Sequence, residues 1–323
     1  MVSSGEIRHI YGPVISRRLG RSLGIDVIPH KICTYDCVYC QIGKTTDKVL
    51  DRREYVSAQV ILSELSEKLV KTEKVDFITL AGSGEPTLNS AIGAVICGIK
   101  EMTDIPVAVL TNGSLLWVPE VQDALMNADI VLPSLDAGDE ALFQYVNRPH
   151  QDLVFDQVVE GLVDFTKCFP GEVWLEVLLL AGVTGVKAEA KKIAKLVERI
   201  GPAITHLNTV CRPPSEGFAC PLSLELLSAL QEIFPGKVDI IMEQGNQEIM
   251  KSDVPESREG DIIALLSRRP CTSSEVASGL GIHPAEVLKY MESLVETGKL
   301  RRMLSGGRYF YAIARSQNAG GQS

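Results

Sequence analysis

Between residues 75 and 242, short apolar runs alternate with longer segments whose apolar positions recur every three to four residues. "VDFITLAG" (75–82), "IPVAVLTNG" (105–113), "ADIVLPSLD" (128–136), "EVWLEVLLLAG" (172–182) and "AITHLNTV" (203–210) are predicted strands, and "LGIDVIP" (23–29) supplies an earlier one. Helices are predicted over 89–102, 119–127, within 139–167, over 187–200 and over 223–233. Continuous apolar strands separated by helices mean a parallel sheet covered by helices. "KVDIIM" (237–242) reads as a seventh strand or as a short edge addition. Six strand–helix units are too few for a closed eight-fold barrel. The expected fold class is therefore α/β, an open, partial (βα)6 TIM-like barrel rather than a flat doubly wound sheet. In either arrangement the catalytic mouth lies at the C-terminal ends of the strands, where "GSGEP", "TNG" and "SLD" fall.

The pattern then changes. "EQGNQEIMKSDVPESREG" (243–260) is polar and reads as a linker. Beyond it come three helical segments and two strands around a Ser-Gly-Gly turn, in "RRMLSGGRYFYAIA". That order is expected to give a winged helix-turn-helix. The chain is thus divided into a barrel (1–245), a linker (246–257), the small domain (258–315) and a disordered tail (316–323).

Charge follows this division. The 323-residue chain has a net charge of −9. Residues 256–315 carry nine Lys+Arg against seven Asp+Glu, so the rest holds 23 against 34. An acidic main body argues against broad nucleic-acid binding through that body. There is no signal-peptide-like start and no apolar run of membrane length, so a cytoplasmic location without membrane contact is expected. In that compartment the eight cysteines are expected as thiols or metal ligands rather than disulfides.

Three of them, Cys33, Cys37 and Cys40 in "KICTYDCVYCQIG", form a C-x3-C-x2-C pattern. Three thiolates from one loop suit three irons of a [4Fe–4S] cube and leave the fourth iron open to another ligand. A structural zinc would recruit a fourth Cys or His at matching spacing, and no second C-x2-C follows. The motif resembles that of the radical S-adenosylmethionine (radical SAM) superfamily, and the resemblance covers about residues 15–245. It implies a [4Fe–4S] cluster held by the three cysteines, SAM chelated at the open iron, and reductive cleavage to a 5′-deoxyadenosyl radical that abstracts a substrate hydrogen. It also implies an electron donor such as a flavodoxin or ferredoxin. The SAM contacts it implies here are Tyr39, Ser83, Gly84 and Glu85, then Thr111 and Asn112, and Ser134 and Asp136. Glu176, mid-strand in an apolar run, is expected to face a polar cavity.

Further strings, "SRRLGRSLGIDVIPHKICTYDCVYCQIG", "GSGEPTL", "SLDAGDEALFQYVNRPH" and "LNTVCRPPSE", resemble the branch related to enzymes that build the wyosine base on tRNA. Those enzymes place a second cluster on additional N-terminal cysteines, and none precedes Cys33 here. Arg17, Arg18, Arg148 and Arg212 are candidate substrate-binding groups, suited to phosphate or carboxylate. The first substrate expectation is RNA, with a small metabolite or a protein side chain as alternatives. The rival function is an iron–sulfur redox-sensing regulator that binds DNA through the winged helix. Glu286, Glu292 and Glu296 make the expected recognition helix acidic, which favours a docking role, or a lid beside the barrel, over operator binding.

Overall fold

The structure is a computed structural model and describes residues 9–70, 72, 74–241 and 258–314. The expected linker (246–257) and tail (316–323) lie outside the described residues. The chain opens with an antiparallel hairpin, β1 (Ile10–Ser16) and β2 (Gly20–Asp26). A two-residue parallel ribbon, β3 (Ile32–Cys33) with β4 (Asp47–Lys48), brackets the cysteine loop. Then follow α1 (Ala58–Val70), β5 (Phe77–Ala81), α2 (Ile92–Met102), β6 (Val107–Thr111), α3 (Pro119–Leu125) and β7 (Ile130–Pro133). After them come α4 (Glu140–Val146), α5 (Phe155–Cys168), β8 (Glu172–Leu179), α6 (Lys187–Ile200), β9 (Ile204–Thr209), α7 (Leu224–Gln231) and β10 (Val238–Ile240).

One eight-stranded sheet has the order β1-β2-β5-β6-β7-β8-β9-β10, and every strand in it except β1 runs parallel to its neighbours. β10 is the short edge addition. Four elements have no counterpart among the expected ones: β1, the two short ribbon strands β3 and β4, and α1. β1 is interrupted by Gly12, at φ +96°, and by Pro13, which break its alternation. α1 falls in a stretch where no helix was expected.

The strands alternate as pleating requires. Outward residues such as Leu23, Ile25, Ile78, Leu80, Val131, Leu175 and Leu207 pack with the helices in one large core. Inward positions carry small or polar residues instead, among them Ser22, Gly24, Thr79, Ser134, Glu176 and Asn208. The β1–β2 turn inserts Leu19 among Ala108, Ile130 and Leu132 and closes the end where the parallel strands begin.

The C-terminal part comprises α8 (Arg258–Leu266), α9 (Ser273–Leu280), α10 (Pro284–Glu296) and the hairpin β11 (Leu300–Ser305) with β12 (Arg308–Ile313). Thr272 and Glu275 form a capping box that fixes the start of α9. This unit has its own core around Ile262, Val276, Val287, Met291 and Tyr311, and Tyr11 and Val14 of β1 pack onto it. Arg268 sits over the Tyr11 ring at 4.4 Å and lies 3.7 Å from Asp26. On the far side, Arg212, just past β9, donates to the Pro270 carbonyl at 3.1 Å and pairs with Glu275. The unit therefore bridges the two ends of the open sheet.

Candidate functional site

A cavity of about 980 Å³ opens where the strand ends, the cysteine loop and the C-terminal unit meet. Cys33, Cys37 and Cys40 line it together with Tyr39, Gly84, Thr111, Asn112, Ser134, Glu176, Arg17, Arg18 and Arg212.

The cysteine loop is fixed by neighbouring backbone. Asp36 and Val38 donate to the Asn147 and Val146 carbonyls at 3.0 and 2.9 Å, His150 donates to the Thr34 carbonyl at 2.8 Å, and Glu216 donates to the Val38 carbonyl at 3.0 Å. Lys31 precedes the loop at φ +63°, a left-handed conformation unusual for a side-chain-bearing residue. Its amide donates to the Ser83 carbonyl at 2.6 Å, and its own carbonyl accepts from Thr46 and Asp47 at 3.2 Å each. This over-determined backbone buries the side chain and aims it inward.

Each of the three sulfurs then meets one N–H donor. Lys31 Nζ reaches Cys40 Sγ at 3.3 Å, Asn112 Nδ2 reaches Cys33 Sγ at 3.6 Å, and Asn147 Nδ2 reaches Cys37 Sγ at 3.6 Å. Such donors suit thiolates, which bind metal and accept hydrogen bonds. Burial, reinforced by Glu85, pushes the Cys33 thiol up to about 12, and burial with the other two cysteines pushes Cys37 up as well. Ionising these thiols at neutral pH therefore calls for a positively charged centre among them. Among the described residues no three His, Cys, Asp or Glu side chains are arranged to hold a single metal ion. Three thiolates from one loop, each with its own N–H donor, suit three irons of a cluster.

Four expected contact residues stand back from the cavity, each for a definable reason. Glu85 is buried, and its carboxylate accepts from the Thr87 amide (3.0 Å), the Thr87 hydroxyl (2.6 Å), the Thr111 hydroxyl (2.6 Å) and the Asn112 amide (2.7 Å). Burial raises its pKa while these donors pull the other way. Its acceptor capacity is spent holding "TNG", so it positions Thr111 and Asn112. Ser83 donates its hydroxyl to Asp26 at 2.5 Å. Asp136 accepts from the Tyr39 hydroxyl, from Asn147 Nδ2 at 3.0 Å and from the Leu178 amide at 3.0 Å. Arg148 pairs with Glu216 at 2.7 Å and lies outside the cavity lining.

Glu176 does face the cavity, paired with Arg18 and accepting from Asn208 Nδ2 at 3.2 Å. Arg212 also touches the cavity, but its guanidinium is committed to Glu275 and Pro270. Burial works against its charge, yet Glu275, Cys271 and Cys211 together overcome that and raise its pKa.

A profile of the radical SAM superfamily matches residues 27–197, the segment that carries the cysteine loop and most of the sheet. The chain belongs to the radical SAM superfamily. A UPF0026 protein of Methanocaldococcus jannaschii is 35% identical over 309 residues, covering 93% of this chain and 94% of that one, so the chain is also a member of the UPF0026 proteins. A protein of Brachyspira hyodysenteriae named GTPase Obg is 39% identical over 307 residues, and this chain spans 45% of its length. Among solved structures, a radical SAM methyltransferase of Sphaerobacter thermophilus superposes with a TM-score of 0.54 at 18% identity, over 68% of this chain and 66% of that one. That likeness is one of fold. Radical SAM proteins use a [4Fe–4S] cluster and SAM, and this chain is an enzyme of that type with an α/β, parallel-sheet fold. No helix among the described residues is long and apolar enough to cross a membrane.

Several residues around the site of this radical SAM protein escaped sequence reasoning. Lys31 and Asn147 give no signal in one dimension, because their role depends on contacts across the fold. Arg268, Arg269, Tyr309 and Tyr311 also line the cavity. They lie in a segment whose sequence reads as a separate domain.

Proposed function

We propose that this chain cleaves SAM reductively and uses the resulting radical to take a hydrogen from a substrate held in the cavity, with a small electron-transfer protein as donor. The observation that carries this reading is the convergence of three cysteine sulfurs, each with its own N–H donor, on the wall of a cavity of about 980 Å³. When bound, the cluster and SAM supply the 5′-deoxyadenosyl radical. The protein's share is orientation and exclusion of water. Cys33, Cys37 and Cys40 would hold three irons, and Lys31, Asn112 and Asn147 would tune the sulfurs. Thr111, Asn112, Ser134 and Gly84 would border SAM, while Glu85 and Asp136 keep that border rigid.

The C-terminal unit has the element order of a winged helix-turn-helix and serves here as a wall of the cavity. This enclosure favours a small molecule over the RNA expected from the wyosine-like branch, because the substrate must fit between the barrel and α9. The regulator reading has less support. Arg302 is paired with Glu292 at 3.5 Å and stacked over Tyr309, and Arg308 donates to the Cys211 carbonyl.

The test is anaerobic reconstitution with iron and sulfide, followed by SAM and dithionite, comparing the wild type with Cys37→Ala. Release of 5′-deoxyadenosine by the wild type alone is expected. Equal or absent release from both proteins would refute the proposal.

A further inference from the structure

We infer that the seam between barrel and C-terminal unit is an anion-binding site, and that the substrate of this cavity is a small molecule bearing a phosphate group. The inference rests on the radical SAM reading of the site and adds the substrate class to it.

Seven Lys and Arg side chains line the cavity against two carboxylates, Glu176 and Glu275. Both carboxylates are taken, Glu176 by Arg18 and Glu275 by Arg212. Arg268 lies near Asp26, and Lys31 is turned to Cys40. Arg308 is turned to the Cys211 carbonyl. Arg17 and Arg269 remain, and neither has an ion pair among the described residues. Arg17 makes only a long bond, 3.5 Å, to Asn208 Oδ1. This surplus of cations sits in a chain whose net charge is −9, so acids are plentiful elsewhere and missing here.

Arg18 shows how close the cations lie. Burial pulls its pKa down to about 10, with Arg17 and then Arg269 adding to the fall and Cys211 opposing it. Guanidinium groups crowded together in a partly desolvated space cost free energy until an anion joins them. Arg17 comes from the β1–β2 turn and Arg269 from the turn that follows α8, so neither half of the molecule makes the site alone. Arg308 leans over the same space from the hairpin, donating to the Cys211 carbonyl at 3.4 Å.

Planar N–H forks approaching from different elements match the several oxygens of a phosphate better than a single carboxylate. Size limits the rest of the ligand. Single-ligand pockets run to roughly 1,000 Å³, and this one, at about 980 Å³, must also admit SAM.

Inorganic pyrophosphate, titrated calorimetrically into the anaerobically reconstituted full chain, provides the test. The wild type and Arg301→Gln, which alters an exposed hairpin residue outside the cavity, are expected to bind it saturably. Arg17→Gln and Arg269→Gln are expected to bind at least about tenfold more weakly, a difference of roughly 1.4 kcal/mol, with unchanged far-ultraviolet circular dichroism. Should either glutamine variant misfold, the Arg→Lys exchange at that position is read instead, and it too must weaken binding because it loses the fork. No saturable binding by the wild type, or equal binding by all variants, overturns the inference. So does tighter binding of a poly-uridylate oligonucleotide that is weakened only by Arg301→Gln, an outcome that would point to RNA on the outer face. Release of 5′-deoxyadenosine is scored separately. Release without pyrophosphate binding removes the phosphate site and leaves the radical SAM reading standing, whereas binding without release does the reverse.

Discussion

Gly84 decides how closely the end of β5 can approach the cysteine loop. A Cβ at this position would run into the Ile32 carbonyl, which accepts from the Glu85 amide at 3.1 Å. Ile32 adjoins Cys33, so relief of the clash must move a cysteine. Gly84→Ala is expected to cost about 2 kcal/mol by overpacking and to lower the iron bound per chain after reconstitution, read by iron and sulfide assay. His206 makes a second residue-scale case. It is buried on the inner face, edge-on to Trp174 with ring centroids 5.5 Å apart, and burial, helped by Arg18, lowers its pKa to about 4. The unfolded chain takes up the proton near pH 6.5 and the folded chain only near pH 4, so stability falls as pH drops through that window. The expected loss between pH 7 and pH 5 is about 2 kcal/mol. His206→Gln should remove that part of the pH dependence, measured by urea unfolding at both pH values. An unchanged slope in the variant would contradict the assignment.

At the scale of elements, α9 is held to the barrel by its packing on β1 and, on the opposite side, through Glu275. This carboxylate closes the capping box on Thr272 and also pairs with Arg212, which is 5% exposed. Removing Arg212 leaves Glu275, whose side chain is 30% exposed, without its ion-pair partner and costs about 1–2 kcal/mol. Arg212→Ala is therefore expected to loosen α9 and to speed proteolytic cleavage between the two parts of the chain, followed by limited proteolysis and mass spectrometry. Cleavage at the wild-type rate would show that the contact between Tyr11 and Arg268 holds the unit by itself. The elements also show where one-dimensional reading succeeds. The helix over 187–200 is α6 without adjustment, because a strong apolar stripe and a Gly at its C-terminal end define both limits. β1 was missed because Gly12 and Pro13 erase its alternation. α1 joins no motif that would have drawn attention to it.

Over the whole molecule, the position of the C-terminal unit sets the balance between the two function classes. Two of its three hairpin arginines, Arg302 and Arg308, face other groups of this chain, and α10 carries Glu286, Glu292 and Glu296. Duplex DNA binding is expected to be weak, with a salt slope near zero between about 50 and 200 mM, the range over which a protein making several phosphate contacts loses orders of magnitude in affinity. Fluorescence anisotropy with a labelled duplex checks this, and a steep slope with sequence preference would restore the regulator.

The sequence alone determined the fold class, the cysteine motif and the loops that meet at the mouth. These features are local: continuous apolar strands and short ligand spacings survive in one dimension. Glu176 was legible too, since a charge inside an apolar strand must face a polar space or a partner. Only the tertiary structure decided that Glu85 and Asp136 support the cavity wall while Lys31 and Asn147 reach the sulfurs. A side chain's direction depends on which donors neighbouring strands present to it. Only the tertiary structure, likewise, turned an apparently separate domain into one side of the cavity. The contacts responsible join residues 58 or more positions apart, such as Arg212 with Pro270 and Arg268 with Asp26. No local pattern encodes a pairing of that kind, because the two partners lie far apart along the chain.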